Sequence, residues 1–507
     1  ARGLARVLAG PVHAADLPVA AGPSSGASAG RIIAPPGAWV VPAAVPADDG
    51  KDGDSAIRVL LRDEQDDLQP GHVTNYVESV YKLQTAQGLP AGAVSFAWDP
   101  ATQTATVHKL QIRRGSQVID VLTGGQSFTV VRRETNLENA VLDGQLTASI
   151  QPEGLQVGDI VDLAVSITTS DPALGRHVEY AGAAWNGVPM ARTHFRARWP
   201  SSVSMRIQPG GAMVLPKPVS KDGMSSVELT MDKVEPLVLP NGAPLRYRMG
   251  RMIEMTDLPS WSGVVALMAP LFARAEVLPP DGPLHGEIEK IRALSSDPKL
   301  RAEAALALVQ DRVRYVLLSL NDGGLVPADA ATTWSRRFGD CKGKTVLLLS
   351  ILHALGIEAQ PVLVSTVMGD GMDKRLPAIG MFNHVLVRAI IGGRTYWLDG
   401  TRVGDRTLDG IETPDFDWGL PLVPGNAALV AMKPAPDTEP RLTVDIAIDA
   451  HAGLTIPAPI HIERKMRGDD AVATNLALAN LAGDARQQAL RQFWKGRYDF
   501  ADPVSFT

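Results

Sequence analysis

Short alternations of apolar and polar residues dominate the first half of the chain. From about Ile57 to Met255, turn residues recur roughly every 8 to 14 positions, and no long amphipathic helix intervenes. Residues 104–113 alternate well and turn at Gly115-Ser116 into a second apolar run, 118–122, which predicts a hairpin. This spacing is typical of an antiparallel β-sandwich of roughly 200 residues. Further strands are predicted at 74–83, 128–133, 146–150, 160–168 and 226–231.

The period of the pattern changes near Leu258. Residues 261–274 and 283–294 have helical periodicity, and Asp297-Pro298 supplies an N-cap and a first-turn proline for a third helix. Strand patterns return after about residue 434, and one helical stretch follows them. Those last elements are predicted at 442–448 and 454–462 for strands and at 470 to about 493 for the helix.

These changes of period predict a multi-domain α+β protein. At roughly 150 residues per domain, the 507 residues suggest about three domains. The predicted division is 1–54, a disordered leader or linker; 55–255, the β-sandwich domain of unknown function; 256–433, a core with both helices and strands; and 434–507, a β-rich domain that looks incomplete.

The leader has its own compositional signal. Residues 15–54 are rich in Ala, Gly, Pro and Ser, a composition that cannot build a core. The opening residues combine two arginines with a small-residue end, Val12-His13-Ala14, which would suit signal peptidase. This pattern predicts a periplasmic or secreted protein. If the segment is only a disordered terminus, the expected location is the cytoplasm.

Charge and cysteine content narrow the function classes. A net charge of −6 gives no electrostatic reason to expect nucleic acid or an anionic membrane as partner. The sequence contains no run of about 20 apolar residues, so no membrane-spanning helix is predicted in it. With one cysteine, Cys341, an internal disulfide is impossible. No H-E-x-x-H or paired Cys/His spacing occurs, so neither a metal nor another cofactor is expected.

Cys341 lies in the most informative stretch of the chain. From Thr345 onward the residues form a strongly apolar helix pattern that stops at Gly356, and Asp340 is a good N-cap residue. Cys341 is therefore predicted in the first helical turn, where free N–H groups and the helix dipole favour a thiolate. Nearby positive charge adds to this effect and comes from Arg336, Arg337, Lys342 and Lys344. The position indicates a reactive thiol.

A base and its orienting group are predicted on one β-hairpin. Two β runs, beginning at Asn383-His384 and ending at Asp399, are separated by Gly392-Gly393. A two-residue turn pairs residue 391 with 394, so His384 and Asp399 share one face as a diagonal pair. An odd-length loop would place them on opposite faces. Cys341, His384 and Asp399 thus form a candidate catalytic set.

The chemistry assigns each residue a role. Cys341 attacks a carbonyl carbon as thiolate, and His384 stabilises the thiolate and then protonates the leaving group. Asp399 fixes the tautomer and orientation of the imidazole. The oxyanion donor is left open between the backbone N–H of Cys341 and a side chain such as Tyr315 or Trp334.

These motifs resemble the transglutaminase-like superfamily. The resemblance lies in Gly339-Asp340-Cys341 opening a helix, Asn383-His384 opening a strand, and Trp397-Leu398-Asp399 on the next strand. It implies a papain-like core with Cys341, His384 and Asp399 as triad, and an N-terminal β domain of unknown function as in bacterial members. Asp399-Gly400-Thr401 departs from the common Asp-Pro-Thr. Members include crosslinking acyltransferases, peptidases, amidases and proteins without demonstrated activity.

Other motifs are weaker. Gly343-Lys344-Thr345 suggests a P-loop, but Phe338 stands where its first glycine is required. His353 lies about 18 Å along the helix from Cys341 and cannot be its base. The leading hypothesis is amide-bond hydrolysis or acyl transfer on a peptide or protein, with a component of the cell envelope as a further partner. The alternative is a non-catalytic binding or assembly protein that uses the core as scaffold.

Overall fold

The structure is a computed structural model of the whole chain. It describes residues 33–48, 55–132, 141–142, 144–182, 187–211, 213–238, 240–248, 250–318, 324–425, 427–453 and 455–506. Within these residues it is a mixed α and β protein with several antiparallel sheets. Residues 55–256 are called the β region below, and residues 257–433 the central region.

The β region contains only strands and short 3₁₀ turns among its described residues. Its strands are β1 (Ile57–Gln69), β2 (His72–Leu83), β3 (Val94–Trp98), β4 (Gln103–Arg114), β5 (Gln117–Asp120), β6 (Thr129–Arg132), β7 (Val141–Leu142), β8 (Leu146–Ile150), β9 (Ile160–Thr169), β10 (Glu179–Gly182), β11 (Met190–Pro200), β12 (Arg206–Pro209), β13 (Val219–Lys221), β14 (Met224–Val234) and β15 (Ile253–Thr256). The strands predicted between 74 and 231 are all present, with small differences at their ends.

Eight of these strands form one large sheet, in the order β13-β14-β11-β1-β2-β9-β4-β5. The sheet departs from the antiparallel prediction at one place, since β1 and β11 pair in parallel. β1 itself was not predicted, because its sequence is polar where it is most buried. Asp63 and Gln65 are fully buried there, and each has a partner: Asp63 accepts from Nδ1 of His194 at 2.6 Å. Buried polar groups of this kind are tolerated when they are hydrogen-bonded.

Part of the predicted disordered leader lies on this sheet. Residues 1–32 and 49–54 are outside the described part, but residues 33–48 lie on the β region with an isolated bridge at Ile33 and no helix or strand of their own. The side chain of Gln65 accepts from Val41 N at 2.9 Å and donates to Val41 O at 2.6 Å. Arg198 stacks on Trp39, 5.4 Å from the ring centre. Residues 33–48 therefore bond to the sheet beside them, and the disorder expected of the leader as a whole stays a prediction.

The central region alternates helices with short strands. Its helices are α1 (Trp261–Ala275), α2 (Leu284–Leu294), α3 (Pro298–Arg312), α4 (Ala330–Arg336) and α5 (Cys341–Ala354). Its strands are β16 (Arg314–Tyr315), β17 (Leu317–Leu318), β18 (Phe338–Gly339), β19 (Glu358–Val364), β20 (His384–Ile391), β21 (Arg394–Leu398), β22 (Asp417–Pro421) and β23 (Val430–Met432). Asp297 caps α3 as predicted, accepting from Lys299 N at 2.8 Å.

An antiparallel sheet in the order β21-β20-β19-β22-β23 packs against α5. Successive strand residues point to opposite faces, so one set of β20 side chains, Val385, Val387 and Ala389, joins the large core beneath α5. The other face carries a smaller cluster that includes Leu386 and Trp397. Both faces of this sheet are apolar, which explains why its strands read as continuous hydrophobic runs.

The last described part contains two strands and two helices, β24 (Leu442–Ile448), β25 (Ile460–Met466), α6 (Gly468–Ala479) and α7 (Gly483–Arg497). The second strand lies later than the predicted 454–462. The single helix predicted for 470–493 is divided, because the chain turns at residues 480–482 and Gly483 adopts a φ of 53°. Among the described residues, no helix is long and apolar enough to span a bilayer.

Candidate active site

Cys341 is the first residue of α5, as its sequence context predicts. Asp340 caps the helix, and its side chain accepts a hydrogen bond from Gly343 N at 2.8 Å. At the other end Gly356 adopts a φ of 75°, the left-handed conformation that ends a helix. The thiol therefore lies beside unpaired N–H groups and the positive end of the dipole. Cys341 is 7% exposed, so these dipoles act with little screening by water.

The predicted hairpin register is confirmed. Ile391 pairs with Arg394 and Val387 with Leu398, and Gly392 and Gly393 both have positive φ. This is the conformation that a two-residue type I′ turn requires. The ladder between β20 and β21 ends at Leu398, so Asp399 lies just beyond its strand. His384 instead pairs with Val364 of β19.

His384 and Asp399 are in direct contact. Nε2 of His384 lies 2.8 Å from Oδ2 of Asp399. The second carboxylate oxygen accepts from Thr401 N at 2.8 Å and from Thr401 Oγ1 at 2.7 Å. Burial alone would raise the pKa of Asp399, but the hydrogen bond and charge of His384, with those of Thr401, lower it below its ordinary value. The carboxylate stays ionised and holds the imidazole in one orientation.

The other side of the imidazole faces the thiol. Since Nε2 is bonded to Asp399, Nδ1 is the nitrogen available to Cys341. Burial would lower the pKa of His384, but hydrogen bonds to Asp399 and Cys341, together with their negative charges, raise it to about 10. The side chains of His384 and Asp399 are only 12% and 9% exposed. The structure thus brings Cys341, His384 and Asp399 together in a nearly water-free site.

The two side chains considered as oxyanion donors, Tyr315 and Trp334, differ in position. Burial, followed by the negative charges of Cys341, Asp340 and Asp399, raises the pKa of Tyr315 to about 12. Tyr315 also pairs with Gly339, two residues before Cys341, and its phenol keeps its proton as a donor. Trp334 is buried, and Arg337 stacks over its ring at 3.5 Å from the centre. Of the two side chains, Tyr315 fits the oxyanion role better.

Of the four predicted basic neighbours, Lys344 has the most unusual environment. It is 1% exposed, one helical turn beyond Cys341, and Nζ donates to the carbonyl of Val313. Burial lowers the pKa of Lys344 to about 8, against the opposing charges of Asp399 and Asp311. Lys342 is paired with Asp340. The positive potential near the thiol is therefore partly neutralised, and the helix end contributes more than the sequence alone suggested.

A buried glutamine, Gln310, holds the backbone of Asp399, a role that was not predicted from the sequence. Nε2 of Gln310 donates to the carbonyl of Asp399 at 3.0 Å and to Oδ2 of Asp405 at 2.8 Å. Its Oε1 accepts from Asp405 N at 3.1 Å. A signal existed, because Gln310 falls on the face of α3 that also buries Leu306. Phe416 lies edge-on to His384, with ring centres 6.3 Å apart, and had no such signal.

The weaker motifs have structural explanations. Nδ1 of His353 contacts Glu276, and its Nε2 lies 2.9 Å from the carbonyl of Ala359, which joins α5 to its surroundings. Gly343 lies inside α5 close to Thr333, so it forms no phosphate loop. Across the described ranges, no group of three or more His, Cys, Asp or Glu side chains is arranged to hold a metal ion.

Comparison with known proteins extends this picture over the β region. Residues 69–238 match the model of a Domain of Unknown Function with a solved structure, DUF3857. No curated protein matches the chain. The match begins at the last residue of β1, covers the other seven strands of the large sheet and ends before the central region, so it does not describe the candidate site.

Among solved structures, one is similar over most of the chain. It is the crystal structure of a candidate protease from Parabacteroides distasonis ATCC 8503, with a TM-score of 0.56, 14% identity, and coverage of 75% of this chain and 72% of that one. At this identity the similarity shows the fold alone. An M1 zinc metallopeptidase from Deinococcus radiodurans also matches, at 12% identity, with a TM-score of 0.22 and coverage of 40% of this chain and 42% of that one.

Proposed function

We propose that this protein is a cysteine-dependent enzyme that acts on amide bonds of peptides or proteins through a thioester intermediate. Cys341 is the nucleophile, His384 the general acid and base, and Asp399 the group that orients His384. The observation that supports this most directly is the order of contacts, with Asp399 on Nε2 of His384 at 2.8 Å and the thiol on its other side. A papain-like core with transglutaminase-like motifs is part of the same proposal.

In the first step, the Cys341 sulfur attacks the carbonyl carbon of the amide. A carbon–sulfur bond forms and the carbonyl oxygen becomes an oxyanion, which the N–H of Cys341 and the hydroxyl of Tyr315 stabilise. His384, protonated at Nδ1, gives that proton to the leaving nitrogen. The carbon–nitrogen bond then breaks and leaves an acyl thioester on Cys341.

In the second step, neutral His384 takes a proton from the acceptor. Water as acceptor yields the carboxylic acid, and a primary amine yields a new amide, with the Cys341 thiol regenerated in either case. The pKa of about 10 favours the protonated imidazole before acylation, when the thiolate is present. Once sulfur is acylated, its negative charge is gone, so the imidazole loses its proton more easily and becomes a base.

The alternative is a binding or assembly protein whose core is a scaffold. Its support is the size of the β region, which precedes the candidate site and matches a domain of unknown function. A scaffold needs no charged pair, however, and burying an ionised His384 beside Asp399 is costly unless the pair has a use. We therefore favour the enzyme.

Alkylation of the only cysteine distinguishes the two functions. Intact mass after treatment with iodoacetamide at about pH 6 reports Cys341 alone, since the chain has no other thiol. An enzyme is expected to label rapidly, with a rate that His384→Ala lowers by roughly 10²-fold. The matched control is His451→Ala, because that imidazole is exposed and bonded only to Asp449 among the described residues. Labelling at an ordinary thiol rate, unaffected by His384→Ala, would favour the scaffold.

A further inference from the structure

One face of a small sheet in the β region is polar although the central strand of the sheet is buried. The sheet has the order β10-β15-β12, and its register places Ala181, Glu254 and Gln208 in one cross-strand row. Glu179 lies two residues before Ala181 and so points to the same face. The opposite face contains Met255 and is packed in an apolar core of the β region.

This polar face holds one loop of the central region. The two oxygens of Glu179 accept from Ile379 N at 2.7 Å and from Gly380 N at 2.8 Å, across 200 positions of sequence. Glu254 accepts from the buried Arg375 and, at 3.4 Å, from Leu376 N. All three strands take part, because Gln208 Nε2 donates to the carbonyl of Lys374 at 2.7 Å.

A second contact from the β region fixes the start of the same loop. The side chain of Asp370 accepts from Arg246 N at 2.9 Å and from Arg246 Nε at 2.6 Å. Gly371 is in left-handed conformation against Arg246, where an added Cβ would approach the arginine Cβ to 2.9 Å. The close approach requires a glycine at this position.

The loop is residues 365–383, and it ends at the candidate base. It joins β19 to β20, and His384 is the first residue of β20. Asn383 closes its base, since Oδ1 accepts from Thr366 N at 2.9 Å and Nδ2 donates to Thr366 Oγ1 at 2.9 Å. Phe382 packs edge-on against Trp261 of α1, with ring centres 5.7 Å apart. A shift of the loop would therefore move the backbone from which the imidazole projects.

From this arrangement we infer that the β region holds the catalytic base in place, and that Glu179, with Glu254 and Gln208, positions His384 through loop 365–383. The inference rests on the proposed function, because positioning has a purpose only if His384 acts on Cys341. These are positioning residues, since none of them touches the thiol or the imidazole.

The geometry explains why a carboxylate is used at position 179. Two adjacent N–H groups at the start of a 3₁₀ turn, Ile379–Met381, point at one bidentate acceptor. Ionised acceptors form stronger bonds to such N–H groups than neutral ones. An amide at position 179 has one oxygen only, so it would satisfy one N–H and turn a donor towards the other. The structure thus predicts that Glu179→Gln loosens the loop without removing apolar packing.

The test measures the alkylation rate of Cys341 at about pH 6 and about pH 9 in the full chain, beside thermal unfolding. At about pH 9 an ordinary thiol is largely thiolate. The rate at about pH 6 divided by the rate at about pH 9 therefore reports the ion pair of Cys341 and His384 rather than the access of the reagent to the thiol. We expect Glu179→Gln to lower this ratio by roughly 10-fold or more, since misplacement by about 1 Å can cost 10²-fold. The control is Asp257→Asn, whose carboxylate lies beside the same sheet but accepts from Val178 N at 3.0 Å and contacts His177 at 3.3 Å, both in the β region.

Each outcome has a separate meaning. If Glu179→Gln and Asp257→Asn lower the unfolding temperature alike and neither changes the ratio, the inference is wrong and Glu179 is structural only. If Cys341 of the wild type is alkylated at about pH 6 no faster than an ordinary thiol, the proposed function itself is wrong. Should Glu179→Gln not fold, Gln208→Ala is used, because its one bond to Lys374 is exposed and its loss is milder. Gln208→Ala must also lower the ratio of the alkylation rate at about pH 6 to that at about pH 9; if it does not, the inference is wrong.

Discussion

Replacement of Asp399 by asparagine tests the electrostatic basis of the site. The substitution keeps the shape of the side chain and its contact with Thr401, but it removes the charge and turns an N–H₂ group towards Nε2 of His384. Two donors cannot face each other, so the imidazole must become neutral with its proton on Nδ1. In that tautomer it can no longer stabilise a thiolate as an imidazolium.

The size of the effect follows from the pKa of His384. It lies at about 10 instead of 6.5, and at about 1.4 kcal/mol per pKa unit this is a net stabilisation of the imidazolium by about 5 kcal/mol, which its partners supply after offsetting the cost of burial. Asp399 contributes the largest favourable part, so Asp399→Asn is expected to lower the pKa by about two units or more. An ordinary thiol is only about 0.3% thiolate at pH 6, so alkylation there should fall by about two orders of magnitude.

Two measurements check this prediction. The ring resonances of His384 are titrated in histidine-labelled protein and assigned by their loss in His384→Ala. Alkylation of Cys341 is followed by intact mass at about pH 6. Asp409→Asn is the control, because this exposed carboxylate follows the same hairpin and bonds Lys299 instead. If Asp399→Asn leaves both the titration and the alkylation rate unchanged, the electrostatic account of the site is refuted.

Four further substitutions are checked by urea unfolding. Asp340→Ala removes the cap of α5 and should cost about 1 kcal/mol; no loss would mean that the cap does not stabilise the helix. Gln310→Ala removes the acceptor of the buried Asp405 N–H and should cost about 2–3 kcal/mol, whereas a loss typical of a surface site would contradict the burial of Gln310. The pKa of His384 is raised to about 10, so its stabilisation is complete below pH 6.5 and disappears by about pH 10; His384→Ala should abolish this decline. The pKa of Lys344 is lowered to about 8 from 10.5, so between these pH values the unfolded chain holds a proton that the folded chain has lost. As the pH rises from about 8 to about 10.5, the wild type should therefore gain stability relative to Lys344→Met, by up to about 3 kcal/mol. If the difference in unfolding free energy between wild type and Lys344→Met stays the same across this pH range, the Lys344 ammonium is solvated and the prediction is wrong.

The parts of the site that were predictable from sequence are those fixed by local rules. Asp340 and Gly356 mark both ends of α5, because capping depends on residues within one turn of the helix. Gly392-Gly393 fixes the register of β20 and β21, because a two-residue turn admits only one pairing. Together these local rules are enough to place His384 near Asp399.

The parts that were missed depend on distant partners. β1 is polar, and its burial is compensated by groups such as His194, which is 131 positions away from Asp63. Its parallel pairing with β11 has no local signature, since register between distant strands follows from the whole sheet. Glu179 likewise reads as a surface residue of a short strand until the loop 365–383 is placed against it. Non-local polar contacts of this kind need the structure.

The central claim is that Cys341 and His384 form a thiolate–imidazolium pair, and the ultraviolet absorbance of the thiolate measures it most directly. The ultraviolet difference spectrum between native protein and protein alkylated at Cys341, recorded at about pH 6, should contain the thiolate band, because the charge of Cys341 is among the causes that raise the pKa of His384. That signal should be lost in His384→Ala. A spectrum at about pH 6 that contains no thiolate band, or a band that His384→Ala leaves unchanged, would contradict the account.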